Sequence, residues 1–318
     1  MACSPSIRIG ISQCLLGDPV RYDGGHKRDD FLADVLDRHV EWVPVCPEVE
    51  AGFGVPREAM QLVGSSRHPR LISIATKQDK TKTLEQFSVR RVREMESLDL
   101  SGYVFKARSP SCGIEQVPLY SQRGVSSNKG IGLFARAFRE RFPLIPIEDE
   151  GRLCDPALRE NFIERVFCYR RYQDLLQSGV TRQAVVGFHT IHKYLLLAHS
   201  PQQYQVLGRL VGQAERHRPK DLALRYGELF MKALAVKATV RKHVNVLQHI
   251  LGYFKDRLGA QEKAELLGVI GDYHQGLTPL IVPLTLIKHY VQIFDVGYIR
   301  DQVYLNPHPK ELMLRNHV

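Results

Sequence analysis

The chain has 318 residues, more than one hydrophobic core ordinarily supports, so two domains are expected. Its 44% apolar and 25% charged residues exclude a disordered chain; with no basic-then-apolar leader and no apolar run of membrane-spanning length, a cytoplasmic protein without a membrane partner is expected. The formal charge of +10 is uneven: residues 1–150 carry 21 basic and 20 acidic side chains, while the rest carries 23 and 14, with ten of the 13 histidines. Six widely spaced cysteines do not suit a secreted disulfide framework.

Apolar runs alternate with amphipathic ones over the first half. A strand is expected at 8–14, an irregular loop at Gly17–Gly25, a helix from Asp30 to His39, a second strand ending at Cys46 and a loop from Glu48 to Arg57. A strand at Leu71–Ala75, a helix at Leu84–Met95, a strand at Gly102–Phe105, a helix at Ile131–Phe142 and a short strand at Leu144–Ile147 follow. This alternation predicts an α/β domain with a mainly parallel, Rossmann-like sheet, although no G-x-G-x-x-G follows the first strand. The acidic run Glu148–Glu150 and Gly151 are read as the boundary, giving domains 1–150 and 151–318.

Three cysteines share one context: Cys14, Cys46 and Cys112 each follow a short apolar run and precede a turn signal. If those strands are parallel neighbours, the thiols meet at the sheet edge where open α/β folds bind ligands, and a metal or cluster site is expected. Spacing alone leaves zinc and iron–sulfur both open. Cys3, Cys154 and Cys168 have no motif around them.

Cys14-Leu-Leu-Gly17, Arg21-Tyr-Asp-Gly-Gly25, Cys46-Pro-Glu48, Pro56-Arg57 and Ser109-Pro-Ser-Cys-Gly113 together resemble the signature of the thiouracil desulfidase family, over roughly residues 7–150. From about residue 155 the chain resembles a helical domain, formerly of unknown function, that is often fused to it. The resemblance implies a [4Fe-4S] cluster on the three cysteines with one iron open, and removal of sulfur from thiolated uridine, 4-thiouridine in particular, in tRNA. It implies Glu48 as the catalytic carboxylate and Ser109 as a proton relay. The plainer readings are a loop carboxylate paired with Arg57 and a turn-capping hydroxyl. Arg21, Arg57, Lys106 and Arg108 are candidates for orienting base or phosphate, or for tying loops together.

The second half reads as an all-α domain, with helices expected at 156–177, 181–198, 201–217, 219–236, 239–258, 260–273 and 279–294. Its charge suits a polyanion. Arg170, Arg171, His189, His192, Lys193, Lys242, His243, Gln248, His249 and Lys255 are expected to form a cationic RNA face. Tyr169, Tyr172, Tyr194 and Tyr253 are possible stacking platforms. The His189/His192 pair is a weak metal candidate, because no H-E-x-x-H is present. Two rivals stand beside the tRNA desulfidase: a desulfidase of free thiouracil-type bases, and a non-enzymatic RNA-binding protein with structural zinc.

Overall fold

The structure, a computed structural model, describes residues 7–121, 124 and 126–318; Cys3 lies outside them. The chain divides into two compact units between Cys154 and Asp155. Among the described residues no helix is long and apolar enough to cross a membrane.

The first unit is α/β. Strands β1 (Arg8–Ser12) and β2 (Glu41–Val45) pair in parallel, followed by the one-turn helix α1 (Pro47–Glu50). Strands β3 (Met60–Gly64) and β4 (Pro69–Ser73), helix α2 (Thr81–Glu94) and strand β5 (Leu100–Phe105) come next. Strands β6 (Val117–Tyr120) and β7 (Ser126–Gly130), helix α3 (Leu133–Arg141) and strand β8 (Ile147–Asp149) complete it. The main sheet is parallel throughout, in the order β2-β1-β5-β8.

The fully buried run Leu100–Phe105 makes β5 a central strand. Tyr103 and Phe105, two residues apart, share a face of the sheet. Their rings stack at 3.9 Å and meet Phe138 of α3 at 4.8 and 5.6 Å. Burying a side chain such as Phe138 contributes about 1.5–3 kcal/mol. Gly10 of β1 lies opposite Tyr103, and a Cβ there would stand 2.2 Å from the tyrosine ring, so only glycine admits this packing.

Four features differ from the sequence expectations. A second, mixed sheet, β4-β3-β6-β7, joins segments read as loop with the Leu71 strand. Asp30–His39 is not a regular helix but a π turn at Phe31–Val35 followed by a 3-10 turn at Leu36–His39. The Glu48–Arg57 loop opens with a helical turn, α1. The acidic run read as the boundary lies just inside the first unit, which ends at Cys154: Glu148 and Asp149 are buried in β8, and Glu150 pairs with Lys106.

The second unit is helical: α4 (Pro156–Gln177), α5 (Arg182–His199), α6 (Pro201–Gly212), α7 (Pro219–Leu234), α8 (Val240–Leu251), α9 (Ala260–His274), α10 (Ile281–Ile293) and the short α11 (Gly297–Arg300). The caps follow sequence: Asp155 accepts from the amides of Ala157 and Leu158, and Ser200 from that of Gln203, each before a proline at the first turn. Helices α4 and α7 approach closely at Gly227, where a Cβ would stand 2.1 Å from Cζ of Tyr172.

A buried charged network ties the C-terminal segment to α4. Arg315 donates from Nε to Glu160 Oε1 at 2.9 Å, from Nη2 to Glu164 Oε2 at 3.2 Å and from Nη1 to the Tyr304 carbonyl at 2.6 Å. His199 completes it with an ion pair to Glu164.

Candidate active site

Each cysteine is placed by the end of a different parallel strand. β1 runs into a 3-10 turn carrying Cys14, closed by Gly17 at φ 103°. The Cys14 carbonyl accepts from the Lys27 amide at 2.9 Å, which anchors the following loop. β2 ends at Cys46, whose amide donates to Glu50 Oε1 of α1 at 3.0 Å. β5 leads to Cys112, in a loop clamped on the N-terminus of α3. There Gly132 donates to the Gly113 carbonyl at 2.8 Å, and Phe134 to that of Ser111 at 3.0 Å. A Cβ on Gly132 would stand 2.5 Å from the Ser111 carbonyl, so α3 seats against the loop only through glycine.

These strands are adjacent, in the order β2-β1-β5, and the three cysteines line one cavity of about 400 Å³. Glu48, Arg57, Arg21, Lys106, Arg108 and Ser109 line the same cavity. All three thiols are buried and free. Burial pushes the Cys14 thiol up to about 11, aided by nearby Cys46 and opposed by Lys106 and Arg21. Burial also raises Cys46 and, further, Cys112, which the Ser12 hydroxyl partly opposes. Among the described residues no group of three or more His, Cys, Asp or Glu is gathered to hold a single metal ion.

Glu48 is buried, and both carboxylate oxygens are engaged. Arg57 donates to Oε2 from Nε at 2.7 Å and from Nη2 at 2.5 Å. Ser111 Oγ donates to Oε1 at 2.7 Å. Arg57 is itself fixed by Nη1 on the Val20 and Gly54 carbonyls, at 2.9 and 3.0 Å. A carboxylate has about four lone-pair sites, so this arrangement leaves capacity on Oε1 for one further partner.

Ser111 was not singled out in sequence. Its signal is a hydroxyl beside Cys112 in the Ser109-Pro-Ser-Cys run, which does not by itself separate Ser111 from Ser109. Ser109 Oγ instead accepts from the amides of Ser111 and Cys112, at 3.2 and 3.1 Å, the geometry of a turn cap. Lys106 pairs with Glu150 and donates to the Ala107 carbonyl at 3.0 Å. Arg21 lies over the Tyr22 ring at 5.4 Å, and Arg108 is exposed in the left-handed region at φ 58°.

The expected cationic face of the helical unit does not form as a whole. His192 is wholly buried, stacked on Phe188 at 4.0 Å, and burial pushes it down to about 3, leaving it uncharged. His189 is half-buried and pushed to about 4, and His243 is buried against the Tyr304 hydroxyl. Arg170 is buried on Asp174, and Arg171 donates to the Pro307 carbonyl at 2.8 Å. Lys242 caps the His199 carbonyl at 2.6 Å. Tyr172 and Tyr194 are core residues, because their helix faces meet α7 and the α11 region rather than water. Gln248, His249, Lys255 and Tyr253 are exposed; Tyr253 stacks on Tyr298 at 5.6 Å, with Lys193 6.0 Å from the Tyr298 ring.

A family model described as 2-thiouracil desulfurase matches residues 9–150, and one described as a protein of unknown function, DUF1722, matches residues 193–309. The chain is 31% identical over 153 residues to the uncharacterized protein YbgA of Escherichia coli (strain K12), covering 48% of this chain and 90% of that one. It is 29% identical over 110 residues to the uncharacterized protein YbbK of Bacillus subtilis (strain 168), covering 33% and 72%. Among solved structures it is similar to the [4Fe-4S]-dependent thiouracil desulfidase TudS, with 28% identity and a TM-score of 0.40, covering 48% of this chain and 97% of that one.

Proposed function

Because the chain belongs to the 2-thiouracil desulfurase family and carries a DUF1722 domain beside the desulfurase one, we propose that it removes sulfur from thiolated uridine, 4-thiouridine, in tRNA. In this reading the residue 1–150 domain performs the chemistry and the 151–318 domain holds the RNA. The observation that carries the chemical half is the convergence of Cys14, Cys46 and Cys112 on one cavity with Glu48.

Three soft sulfur donors on the ends of three adjacent strands suit an iron–sulfur cluster, in which each thiolate takes a different iron. Bound there with one iron open, a [4Fe-4S] cluster would supply a soft Lewis acid for the thiocarbonyl sulfur. The reaction balances as hydrolysis: thiouridine and water give uridine and hydrogen sulfide, with no net oxidation.

The protein's own part is positional. Glu48, held by Arg57 and Ser111, keeps Oε1 capacity for a proton from the attacking water, a role worth ~10²–10⁴ in rate. Ser109 shapes the turn that presents Cys112. Arg21 and Arg108 supply positive charge at the cavity for the nucleotide's phosphate. The base must leave its stack to reach a buried site, so a domain that holds tRNA by shape and charge is part of the catalytic design.

Support for the RNA half is the charge of the second half, +9 against +1 in the first. A second reading, desulfuration of the free base, is favoured by the description of the family itself, and the same cavity would hold a thiouracil. The test is nucleoside mass spectrometry of tRNA from cells producing the protein, beside cells producing Cys112→Ala. Loss of 4-thiouridine with the intact chain alone is expected. Unchanged thionucleosides despite soluble, iron-containing protein would overturn the tRNA reading, and activity on free thiouracil would then establish the second.

A further inference from the structure

The arginines expected to meet RNA at 170 and 171 are consumed by internal contacts, yet the helical unit keeps a different set of cations free. Arg209 on α6 and Arg225 on α7 face a common cavity of about 270 Å³, together with Gln213 and His217 from the connecting segment. Val206, Leu210 and Leu229 supply its apolar wall. Both arginines are exposed, and neither has a hydrogen bond or an ion pair among the described residues.

The surroundings share this imbalance. Between residues 201 and 232 stand Arg209, Arg216, Arg218, Lys220, Arg225 and Lys232, against Glu215, Asp221 and Glu228. None of these carboxylates forms an ion pair with any of those cations among the described residues. The connecting segment is fixed: Arg182 Nε donates to the carbonyls of Ala214 and His217, at 3.2 and 2.9 Å. Two exposed guanidinium groups without an ion pair among the described residues, beside a cavity and with more cations along the adjoining turn, form a surface suited to a polyanion.

We propose that the α6–α7 cleft takes the phosphodiester backbone of RNA, with Arg209 and Arg225 on phosphate oxygens and the apolar wall against a ribose. This rests on the RNA reading above and gives it a place. A guanidinium presents planar paired donors that match phosphate oxygens, which favours arginine at such a contact. A single small anion would use the cavity but not the cations of Arg216, Arg218 and Lys220 beside it; a strand with one charge per nucleotide uses both.

The test is tRNA binding by the full-length, cluster-loaded protein, measured by fluorescence anisotropy across a salt series. Four proteins are compared: wild type, the pair Arg209→Ala/Arg225→Ala, the pair Arg209→Lys/Arg225→Lys, and Lys263→Ala on α9 as a surface control. Removing two phosphate contacts should weaken binding roughly tenfold or more and flatten the slope of log K against log salt by about 1.4–1.8. The lysine pair should keep most of the slope, since it keeps the charge, and Lys263→Ala should behave as wild type. Far-UV circular dichroism confirms that the alanine pair is folded. If wild type binds tRNA and the alanine pair binds with equal affinity and slope, the cleft is not the RNA surface. If the alanine pair loses binding of inorganic phosphate alone while tRNA binding is kept, the cleft is a small-anion site and the proposal is overturned. If wild type shows no salt-dependent tRNA binding, the RNA reading itself falls, a failure distinct from that of the cleft.

Discussion

Lowering the pH from 6.5 to 5.5 should destabilise the helical unit by about 3–4 kcal/mol. Burial holds His192 and His243 down at about 3 and His308 and the half-buried His189 at about 4, so all four stay neutral in the folded protein through this range. In the unfolded chain they titrate near 6.5. A depressed histidine gives its full stability above 6.5 and loses it as pH falls toward the folded value. Over this unit of pH the unfolded state gains roughly 1 kcal/mol per buried histidine and somewhat less for the part-exposed His189, which together make the total. His199 has the opposite sign: Glu164, beside it, raises it against the effect of burial. Its contribution is complete below 6.5 and is lost as pH rises through the raised value. Stability should therefore peak near pH 6.5 and fall on both sides. Urea unfolding followed by far-UV circular dichroism at several pH values reads the effect, with the single Trp42 reporting separately on the first unit. His192→Gln should remove roughly a quarter to a third of the acid-side slope. A loss under about 1 kcal/mol between pH 6.5 and 5.5 would mean that these imidazoles already take up protons in the folded state, and the reasoning would fail.

Ser111→Ala removes a hydrogen bond to a buried carboxylate and should cost about 1.5–3 kcal/mol in Trp42-monitored unfolding of the first unit, with Ser111→Thr recovering part of it. Arg315→Met strands Glu160 and leaves Glu164 with His199 alone, and should destabilise the helical unit by about 3–5 kcal/mol in urea titrations; adding Glu160→Leu should return part of that loss. Gly132→Ala forces a methyl group against the Ser111 carbonyl and should cost about 1–3 kcal/mol while lowering the iron content of purified protein, because the displaced loop carries Cys112. Normal iron content and stability in that variant would show that α3 can withdraw without moving the cysteine.

Long periodic segments were legible in the sequence and short irregular ones were not. Val240 to Leu258 was read as one helix from its apolar face, and α8 with the turn after it fills most of that span. Strand β5 was marked by its unbroken apolar run. The second sheet escaped because β3, β6 and β7 are strands of four or five residues whose pattern carries Gln61, Pro118, Asn128 and Lys129; pairing rather than sequence makes them strands. At the site, the meeting of three cysteines followed from strand ends alone. The partners of Glu48 did not, because Ser111 and Ser109 are equivalent in composition and only the turn decides which hydroxyl points at the carboxylate. In the helical unit, residue type misled. An arginine four residues before an aspartate, as Arg170 is before Asp174, can be neutralised on its own helix, and a histidine on an apolar face, as His192 is, packs as an aromatic ring.

The cysteine cavity also fixes an order of events during synthesis. Its three thiols come from strand ends at residues 14, 46 and 112, and no two are close in sequence. The inner strand β1 is made before its inner neighbour β5, which arrives only after β2, the β3–β4 hairpin and α2 have been made. The Cys112 loop is then clamped only once α3 has followed. The cluster proposed for this site would find its full donor set only after the sheet closes. Until then each thiol stands on an unfinished chain without the neighbours that bury it in the finished fold, and is open to oxidation as the exposed thiol it then is.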